Sequence, residues 1–355
     1  NYFYFSPDFS FPYYSNSEFI GNSIEFDESF GGLALVNSDN HISFGKMRSR
    51  IGPFHSSNLI ISSQTPAFPQ FNASMRLNNN FSIFLLAGQL ETELVDSNLV
   101  ANYKIDGISM RTPMLKRYIF LHRLNFSPIR NLRFSFTEFV IAGNAISWSY
   151  FNPFTFYWSE EHSNGDLDNI FLGLDYEWIV KPFKFYGSFL LDEWKPEKTF
   201  STDNQNWYGI QLGFSFAKNF SNNKILFKIE YSYLTPQIYS HKFAINKPLN
   251  YGNSLGFWSG GNSKEYFVLI NYQIAHYRQI SLQIRKNKSG DSIYKSNVLL
   301  PSYDYDLNSF NIIYSDLLFS NIIYEVDISK FDISGKMNID KGLGVDLKIL
   351  YNISY

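Results

Sequence analysis

Apolar and polar side chains alternate at every second position along most of the chain. In residues 208–218, YGIQLGFSFAK, aromatic and aliphatic side chains share one face, and glycine, glutamine, serine and alanine fill the other. Residues 224–234 and 345–355 repeat this pattern. A strand points successive side chains to opposite faces, so the pattern predicts extended strands with one apolar and one polar face.

The alternating segments are long and numerous. Further examples lie at residues 170–178, 183–191, 265–274 and 310–319. Each has about ten residues, the length of a tilted strand that crosses a bilayer, whereas soluble strands average about five or six. Lipid cannot satisfy the backbone groups of an open sheet edge. The pattern therefore predicts an all-β fold, a closed antiparallel transmembrane β-barrel of the outer-membrane type, as a single domain over residues 1–355.

The connections between these segments fall into two classes by length. Short connections include residues 38–40, 78–80, 127–130, 180–182 and 219–223. Long connections run over about 49–69, 91–115, 142–167, 193–206, 235–263 and 288–306. Outer-membrane barrels have short periplasmic turns and long outer loops. We therefore expect the long connections to face the cell exterior and both termini to face the periplasm.

The strand number stays open between 16 and 18 in the sequence. Sixteen strands result if residues 320–339 form one very long strand. The apolar parity shifts within that range, from Val326 and Ile328 to Phe331, so a bulge or an extra turn is compatible with the pattern. An extra strand pair that also uses residues 99–107 would make 18 strands.

Composition narrows the class of protein. Aromatic residues make up 19% of the chain, yet the mean hydropathy is only −0.20. Helical membrane proteins need apolar runs of about 18 or more residues, and the sequence has none. In a barrel, lipid-facing apolar and lumen-facing polar positions cancel in the average. A formal charge of −2 provides no basic field for nucleic acid, and the absence of cysteine excludes disulfides and thiolate sites.

Both ends of the chain fit this class. Residues 345–355 alternate and finish on Tyr355, as the last strands of outer-membrane barrels typically do. We therefore expect the barrel-assembly machinery to be a partner during biogenesis. Residues 1–10 have neither a basic start nor an apolar stretch, so an exported protein would be a mature chain. The expected location is the outer membrane of a Gram-negative bacterium, in contact with its lipid.

Residues 41–71, HISFGKMRSRIGPFHSSNLIISSQTPAFPQF, carry a more specific pattern. A Gly-Lys pair on a strand runs into a Gly-Pro turn, followed by an Asn-Leu-Ile-Ile-Ser segment and a proline. The matching residues are Gly45, Lys46, Gly52, Pro53, Asn58, Leu59, Ser62 and Pro66. With residues 116–143, 151–154 and 168–178, this pattern resembles the Wzi-like capsule assembly family over residues 41–192.

The resemblance implies an 18-stranded outer-membrane barrel that acts as a lectin. Such a barrel would hold capsular or other exopolysaccharide at the cell surface, without catalysis. Two positions depart from the family pattern, because Ile51 stands where an aromatic residue is usual and Phe54 replaces a glycine. The helical bundle of the best-known members has no counterpart in this sequence. We also expect a monomer with no cofactor.

The connection SWSYFNPFTFYWSEEHSNGD, residues 147–166, is the richest candidate for glycan binding. Its candidate ligand residues are Trp148, Tyr150, Phe154, Tyr157, Trp158, Glu160 and Glu161. Aromatic faces pack against the C–H faces of sugars, and carboxylates bind hydroxyl groups. The alternative is an aromatic girdle at the membrane interface, with the loop folded into the barrel as a plug. Residues 235–263 leave the same two interpretations open.

Basic residues precede the Gly-Pro turn on one side of their strand. Lys46, Arg48 and Arg50 would attract an acidic polysaccharide at a barrel mouth. Lumen arginines also pair with lumen acids simply to satisfy buried charge, here with Asp175, Glu177 or Asp192. Both interpretations stay open.

His122 and Glu138 stand in register with apolar positions of two strands that form a hairpin. Phe120 and Leu124 flank the histidine, so the face that carries it is otherwise apolar. The two ionisable side chains can meet across the hairpin. Charged groups facing lipid are costly, so this face is expected to turn inward, to bulge or to be covered. A structural polar pair is the favoured interpretation.

Catalytic chemistry has little support. The six histidines show no metal-binding spacing, and no phosphate loop or dinucleotide fingerprint appears. No serine stands beside a base in an arrangement that predicts a nucleophile. A polysaccharide-binding barrel is therefore the main hypothesis and a porin or solute-selective channel is the alternative, since 16 to 18 strands can enclose an aqueous lumen.

Overall fold

The computed structural model describes most of the chain. It covers residues 2–4, 18–20, 23–26, 30–102, 113–143, 146–152, 154–163, 165, 167–194, 197, 206–221, 223–275, 278–291, 303–319, 322–335 and 339–351. The described helices are α1 (Ser97–Asn102) and α2 (Tyr157–Ser163), with 3₁₀ helices at Trp148–Phe151 and Ala244–Asn246. None of the helices in these ranges is long and apolar enough to cross a membrane.

The strands carry most of the structure. They are β1 (Tyr2–Tyr4), β2 (Glu18–Ile20), β3 (Ser23–Phe26), β4 (Gly31–Val36), β5 (Asn40–Met47), β6 (Phe68–Arg76), β7 (Phe81–Val95), β8 (Met114–Ile129), β9 (Leu132–Gly143), β10 (Asn169–Val180), β11 (Phe183–Glu193), β12 (Trp207–Phe220), β13 (Asn223–Leu234), β14 (Leu249–Asn250), β15 (Asn253–Ser254), β16 (Ser263–Gln273), β17 (Gln279–Ser289), β18 (Tyr305–Phe319), β19 (Ile322–Gly335) and β20 (Ile339–Tyr351).

Fifteen of these strands form one antiparallel sheet in chain order, from β4 to β20. Strands β14 and β15 form a separate ribbon within the connection from β13 to β16, and β1, β2 and β3 form a small sheet of their own. Each strand of the large sheet pairs with the next along the chain, as in an up-and-down barrel. This architecture confirms the predicted all-β antiparallel fold.

Two local questions about the strand count are answered by the structure. Residues 322–335 form β19, a strand of ordinary length, and β20 follows it after a short connection. The additional strand considered for residues 99–107 is wrong over its first part, because residues 97–102 form helix α1. Residues 103–112, and residues 352–355 of the final predicted strand, lie outside the described residues.

The large sheet exposes apolar side chains on one face and buries polar side chains on the other, the reverse of the arrangement in a soluble protein. On β9, Phe134 and Phe136 are each 39% exposed, whereas Ser135 and Thr137 are buried. Strand β10 repeats this alternation, with Leu174 exposed. An apolar surface outside and a polar one inside is the arrangement of a barrel surrounded by hydrocarbon. We call these surfaces the outer face and the inner face.

Charged side chains on the inner face are paired across strands. The Arg123 guanidinium on β8 binds the Asp175 carboxylate on β10 and donates to the Thr137 hydroxyl at 2.8 Å. The Ser188 hydroxyl on β11 also donates to Asp175. A buried ion pair is tolerated when additional hydrogen bonds satisfy its remaining groups, as they do here.

The connection from β5 to β6 folds against the inner face, and we call residues 48–67 the inner plug. Leu59 and Ile61 are buried and pack with Tyr239 and Phe257 from the connection between β13 and β16. Other plug residues contact β10, β12, β13 and β16. No ladder joins β20 to β4 within the described ranges. Contact of one segment with four strands nevertheless requires a sheet that curls around it.

The Glu230 carboxylate on β13 holds the inner plug in place. It accepts the consecutive backbone N–H groups of His55 and Ser56, both at 2.8 Å, and the Tyr186 hydroxyl at 2.7 Å. Glu230 is buried, so these donors replace the water that a carboxylate otherwise needs. Burial lowers the pKa of the His55 imidazole, and the Lys228 ammonium lowers it further.

The Gly-Pro turn of the family pattern has a steric basis. Gly52 has φ of +133°, and a Cβ atom there would lie 2.3 Å from Oδ1 of Asn58. That same oxygen accepts the Phe54 N–H at 2.9 Å. Glycine is therefore required at position 52, and the amide at position 58 closes the turn.

Removal of the inner plug is expected to open the lumen. In a variant with residues 52–63 replaced by a short Gly-Ser linker, the inner face loses the segment that fills it. We expect steady ohmic conductance of the reconstituted variant in planar bilayers, and none for the unaltered chain. A deletion of equal length at residues 147–158, which lie on the outer face, should stay closed. An open, steadily conducting parent chain would contradict the plug interpretation.

Candidate functional site

The aromatic connection from β9 to β10 folds onto the outer face of the barrel. We call the described residues of 146–163 the outer latch. Its Tyr150 and Tyr157 form a buried cluster with Val140 of β9 and neighbouring wall residues. Val140 has the same strand parity as the exposed Phe136, so it belongs to the outward side of the wall. The latch therefore covers a part of the wall that would otherwise face outward.

His122 and Glu138 lie beneath this cover. They are direct partners across β8 and β9, with 2.9 Å between Nε2 of His122 and Oε2 of Glu138. The Glu138 carboxylate also accepts the consecutive N–H groups of Tyr157 and Trp158, at 3.0 and 2.9 Å, which caps the first turn of α2. The Tyr157 ring lies over His122, with 4.4 Å between ring centroids. The sequence left three arrangements open for this face, which could turn inward, bulge or be covered. In the structure the face is covered, by the outer latch.

Two tyrosines of the latch are committed to internal hydrogen bonds. The Tyr157 hydroxyl donates to the Tyr150 carbonyl at 3.0 Å, and the Tyr150 hydroxyl donates to Asp168 at 2.7 Å. Both rings are almost completely buried. Tyr150 and Tyr157, expected from the sequence to contact glycan, thus occupy packing positions in this structure.

The other aromatic side chains of the latch are exposed. Trp148 is 82% exposed and Phe154 is 89% exposed, while Phe151, Phe156 and Trp158 are about half-exposed. Glu160 lies in the first turn of α2 and is partly buried. The latch therefore buries its tyrosines against the wall and presents its phenylalanines and tryptophans outward.

A cleft of about 320 Å³ opens beside the latch, at the long-connection end of β10 and β11. We call it the rim cleft. Its chemically distinctive lining consists of two indoles, four carboxylates, an imidazole and an ammonium group: Trp158, Trp194, Glu161, Asp168, Asp192, Glu193, His241 and Lys242. These side chains come from α2, from the ends of β10 and β11, and from the connection between β13 and β16. Both indoles are more than half exposed.

The rim cleft is tied to the inner plug through one short chain of hydrogen bonds. Asp192 at the end of β11 accepts the Tyr239 N–H at 2.7 Å. The Tyr239 hydroxyl then donates to the Leu59 carbonyl of the plug at 2.6 Å. The position of the connection that carries His241 is therefore set by both the wall and the plug.

His241 is a largely buried imidazole at the edge of the cleft. Its Nδ1 accepts the Phe243 N–H at 3.1 Å, which requires an unprotonated nitrogen. Burial lowers the pKa of His241, a hydrogen bond from the protonated Nδ1 to the Phe243 carbonyl oxygen, 3.3 Å away, raises it, and the Lys242 charge lowers it, with a net downward shift. The ring is therefore neutral at pH 7.

The basic residues singled out in the sequence lie elsewhere. Lys46 is on β5 beside Pro69 of β6, and Arg48 and Arg50 follow in the inner plug. The Arg50 guanidinium donates to the Phe54 carbonyl within the plug. The structure thus separates these three cations from the aromatic latch, and none of them lines the rim cleft.

Several residues of the rim cleft were missed by sequence reasoning. Asp192 and Glu193 are the last residues of β11 and Trp194 follows them, at a point where the register with β12 shifts between Leu191 and Glu193. Two acids beside a tryptophan at the break of an alternating strand were the available signal. His241 lies in residues 235–263, which the sequence left open as a second glycan-binding candidate. Lys242 carried no signal of its own, because only the folded connection brings it to β11. Among the described residues, no group of three or more His, Asp or Glu side chains suits a metal ion.

Comparison with known proteins assigns the family. The sequence profile of capsule assembly protein Wzi matches residues 3–353, nearly the whole chain. The chain belongs to the Wzi family. This confirms the resemblance seen at residues 41–192 and extends it to both ends of the chain. No characterised protein matches the sequence significantly.

Solved structures support the Wzi fold. The Escherichia coli outer-membrane protein Wzi, involved in group 1 capsule assembly and described as a carbohydrate-binding β-barrel, superposes with a TM-score of 0.67 and 16% identity. The match covers 94% of this chain and 71% of that protein. Pseudomonas aeruginosa OccK5 (OpdH) gives a TM-score of 0.46 at 9% identity, covering 92% of this chain and 82% of its own. The CymD monoaromatic hydrocarbon channel gives a TM-score of 0.33 at 8% identity, covering 91% of this chain and 82% of its own. The Wzi superposition confirms a barrel of the outer-membrane type.

Substitution of Glu138 is expected to release the outer latch. Glu138→Ala removes the acceptor of two amide N–H groups and the partner of His122, and each hydrogen bond to a charged group contributes about 1.5–3 kcal/mol. We expect faster protease cleavage within residues 147–163 of the reconstituted protein. Glu138→Gln keeps one acceptor oxygen and should give an intermediate rate. Unchanged cleavage in a folded Glu138→Ala barrel would show that the carboxylate does not hold the latch.

Acidification is expected to loosen the connection that carries His241. The folded-state pKa lies below the ordinary value, so the unfolded connection binds the proton more strongly. The stability contribution is complete above the ordinary histidine pKa of about 6.5 and is lost as pH falls below it, toward the folded value. The measurement is limited digestion of residues 235–262 at about pH 7.5 and about pH 5.5.

His241→Gln is the matched control for this pH effect. Glutamine keeps an acceptor for the Phe243 N–H but does not titrate, so its digestion should respond to pH only through the protease itself. If wild type and His241→Gln respond identically, the imidazole does not control the connection.

Proposed function

We propose that this protein is an outer-membrane barrel that binds capsular or other exopolysaccharide in the rim cleft, with its long connections facing the cell exterior. The cleft lies at the end of the barrel where the long connections emerge. In this orientation a surface polysaccharide reaches the cleft directly. The protein acts by holding the polymer and carries out no reaction on it.

The chemistry of the rim cleft suits a sugar. Sugar rings present C–H faces that pack on aromatic side chains, and hydroxyl groups that donate to carboxylates. Trp158 and Trp194 supply exposed indole faces, while Glu161 and Glu193 supply acceptors. Lys242 adds a donor for ring oxygens, hydroxyls or acidic substituents. This combination of groups, in a member of the Wzi family, is the observation that carries the proposal.

The inner plug favours binding over transport. A porin requires a water-filled lumen, whereas residues 48–67 are packed against the inner face together with the connection from β13 to β16. The polar backbone groups of the plug are bound to wall side chains, as Gln211 donates to the Ser57 carbonyl at 3.0 Å. Hydrogen bonds of this kind hold the inner plug in the lumen. The described contacts of the inner plug therefore favour polysaccharide binding over the channel alternative.

In the part of the chain that the structure describes, no site supports an enzymatic role. The His122 and Glu138 pair is covered by the outer latch, and its carboxylate already accepts two backbone N–H groups. We further propose lipid around the outer face and the barrel-assembly machinery during insertion as partners, and a monomeric state. Arg50 then serves the inner plug, since its guanidinium binds the Phe54 carbonyl.

Replacement of the cleft indoles is expected to weaken polysaccharide binding. Loss of one stacking indole at the centre of a binding site typically costs about 1–2 kcal/mol, roughly a tenfold weaker affinity per 1.4 kcal/mol. The measurement starts with a glycan array probed with the detergent-solubilised protein, followed by affinity for the best glycan. Trp158→Ala and Trp194→Ala should each bind about tenfold more weakly.

Trp178→Ala is the matched control. Trp178 is 45% exposed on the outer face of β10 and does not line the cleft, so its loss should leave glycan affinity unchanged. If all three variants bind the glycan with equal affinity, the rim cleft is not the binding site. In cells, deletion of the protein should release attached polysaccharide while secretion continues; unchanged attachment would overturn the proposed function itself.

A further inference from the structure

We propose that the outer latch is a lipid-binding surface, whose exposed aromatic side chains lie among the acyl chains of the membrane leaflet at the long-connection end. This inference goes beyond polysaccharide binding and does not depend on it. It rests on where the latch sits on the wall, on what it covers, and on the surface that it presents outward.

The latch begins where the exposed apolar wall ends. On β9, Phe136 is exposed on the outer face, and Glu138, the next residue on that face, is completely buried beneath α2. Strand β9 has 12 residues, and a tilted strand crosses the hydrocarbon in about 9–11 residues. Counted from Leu132 at the short-turn end, the hydrocarbon extends to about Val140 or beyond. The covered part of the wall therefore lies at the depth of the acyl chains.

The cover is needed because of what lies beneath it. A charged side chain that faces hydrocarbon is energetically costly. Glu138 avoids this cost, because two N–H groups of α2 and the His122 ring surround its carboxylate. The latch can only do so by lying flat against the wall at the same depth. Its own outward side then takes the place of the wall as the surface that meets the membrane.

That outward side is aromatic and uncharged. Trp148 and Phe154 are 82% and 89% exposed, and Phe151 and Phe156 are about half-exposed. Residues 139–159 include no charged side chain at all. Apolar surface left in water costs roughly 25 cal/mol per Å², whereas aromatic side chains are favoured in the interfacial belts of membrane barrels. The patch thus has the composition of a surface in lipid.

Acyl chains fit this patch better than a polysaccharide does. The patch continues the outer face that Phe136 exposes one step away, and it offers no carboxylate or ammonium group to sugar hydroxyls. Charge returns at Glu160 and Glu161, and Glu161 lines the rim cleft. Helix α2 therefore separates a lipid side from a cleft side, with Trp158 at the border.

Spin labelling can test this placement, because the chain has no native cysteine. A nitroxide is attached to the single cysteine of the Phe154→Cys variant, reconstituted in phosphatidylcholine vesicles. Collision rates are measured with molecular oxygen, which accumulates in hydrocarbon, and with a water-soluble nickel chelate. The Phe154 side chain is 89% exposed, so its replacement disturbs no packing. Trp148→Cys provides a second position on the same patch.

Two further variants calibrate the measurement. Phe136→Cys places the label on the exposed wall, and Ser38→Cys places it in the turn between β4 and β5. We expect the oxygen-to-nickel collision ratio at position 154 to equal that at position 136 and to exceed that at position 38 several-fold. A ratio at positions 148 and 154 nearer to that at position 38 would overturn the proposal. Far-UV circular dichroism confirms that each labelled variant has kept its strands.

Discussion

Two buried carboxylates hold the long connections of this barrel in place by the same interaction. Glu230 binds two consecutive backbone N–H groups of the inner plug from the lumen side, and Glu138 binds two consecutive N–H groups of the outer latch from the opposite side. A ring-bearing side chain completes each set, with the Tyr186 hydroxyl bound to Glu230 and the His122 imidazole bound to Glu138. In surroundings poor in water, a carboxylate and unpaired amides each need the other. The strands of the barrel thus position both the inner plug and the outer latch.

The strands were accessible to prediction because a single physical rule acts on every one of them. Apolar positions point to hydrocarbon and polar positions to the lumen, so alternation in residues 224–234 predicts β13 (Asn223–Leu234) nearly to the residue. The rule does not apply to the connections between strands or to the exact strand ends. Residues 97–102 form a helix within a connection, and β19 (Ile322–Gly335) is shorter than the single strand that parity allowed over residues 320–339.

The connections were harder to predict because their partners are distant in the sequence. His122 and Glu138 on an apolar face indicated that something must cover them, yet nothing in their strands identifies α2 as the cover. The plug motif likewise marks a turn through Gly52 and Asn58, but the side chain that binds it is Glu230. The rim cleft joins Trp158 to Trp194 and His241 in the same way. Local pattern specifies such residues only as candidates, and the fold selects among them.

The separation between plug and partner has a consequence for assembly. His55 must wait for a carboxylate that lies 175 residues further along the chain before its N–H group is satisfied. Contacts of such long range are slow to form. The hydrogen bonds that seat the inner plug can therefore form only after β13 has joined the sheet. Although the plug comes early in the chain, it is expected to reach its final position late in folding.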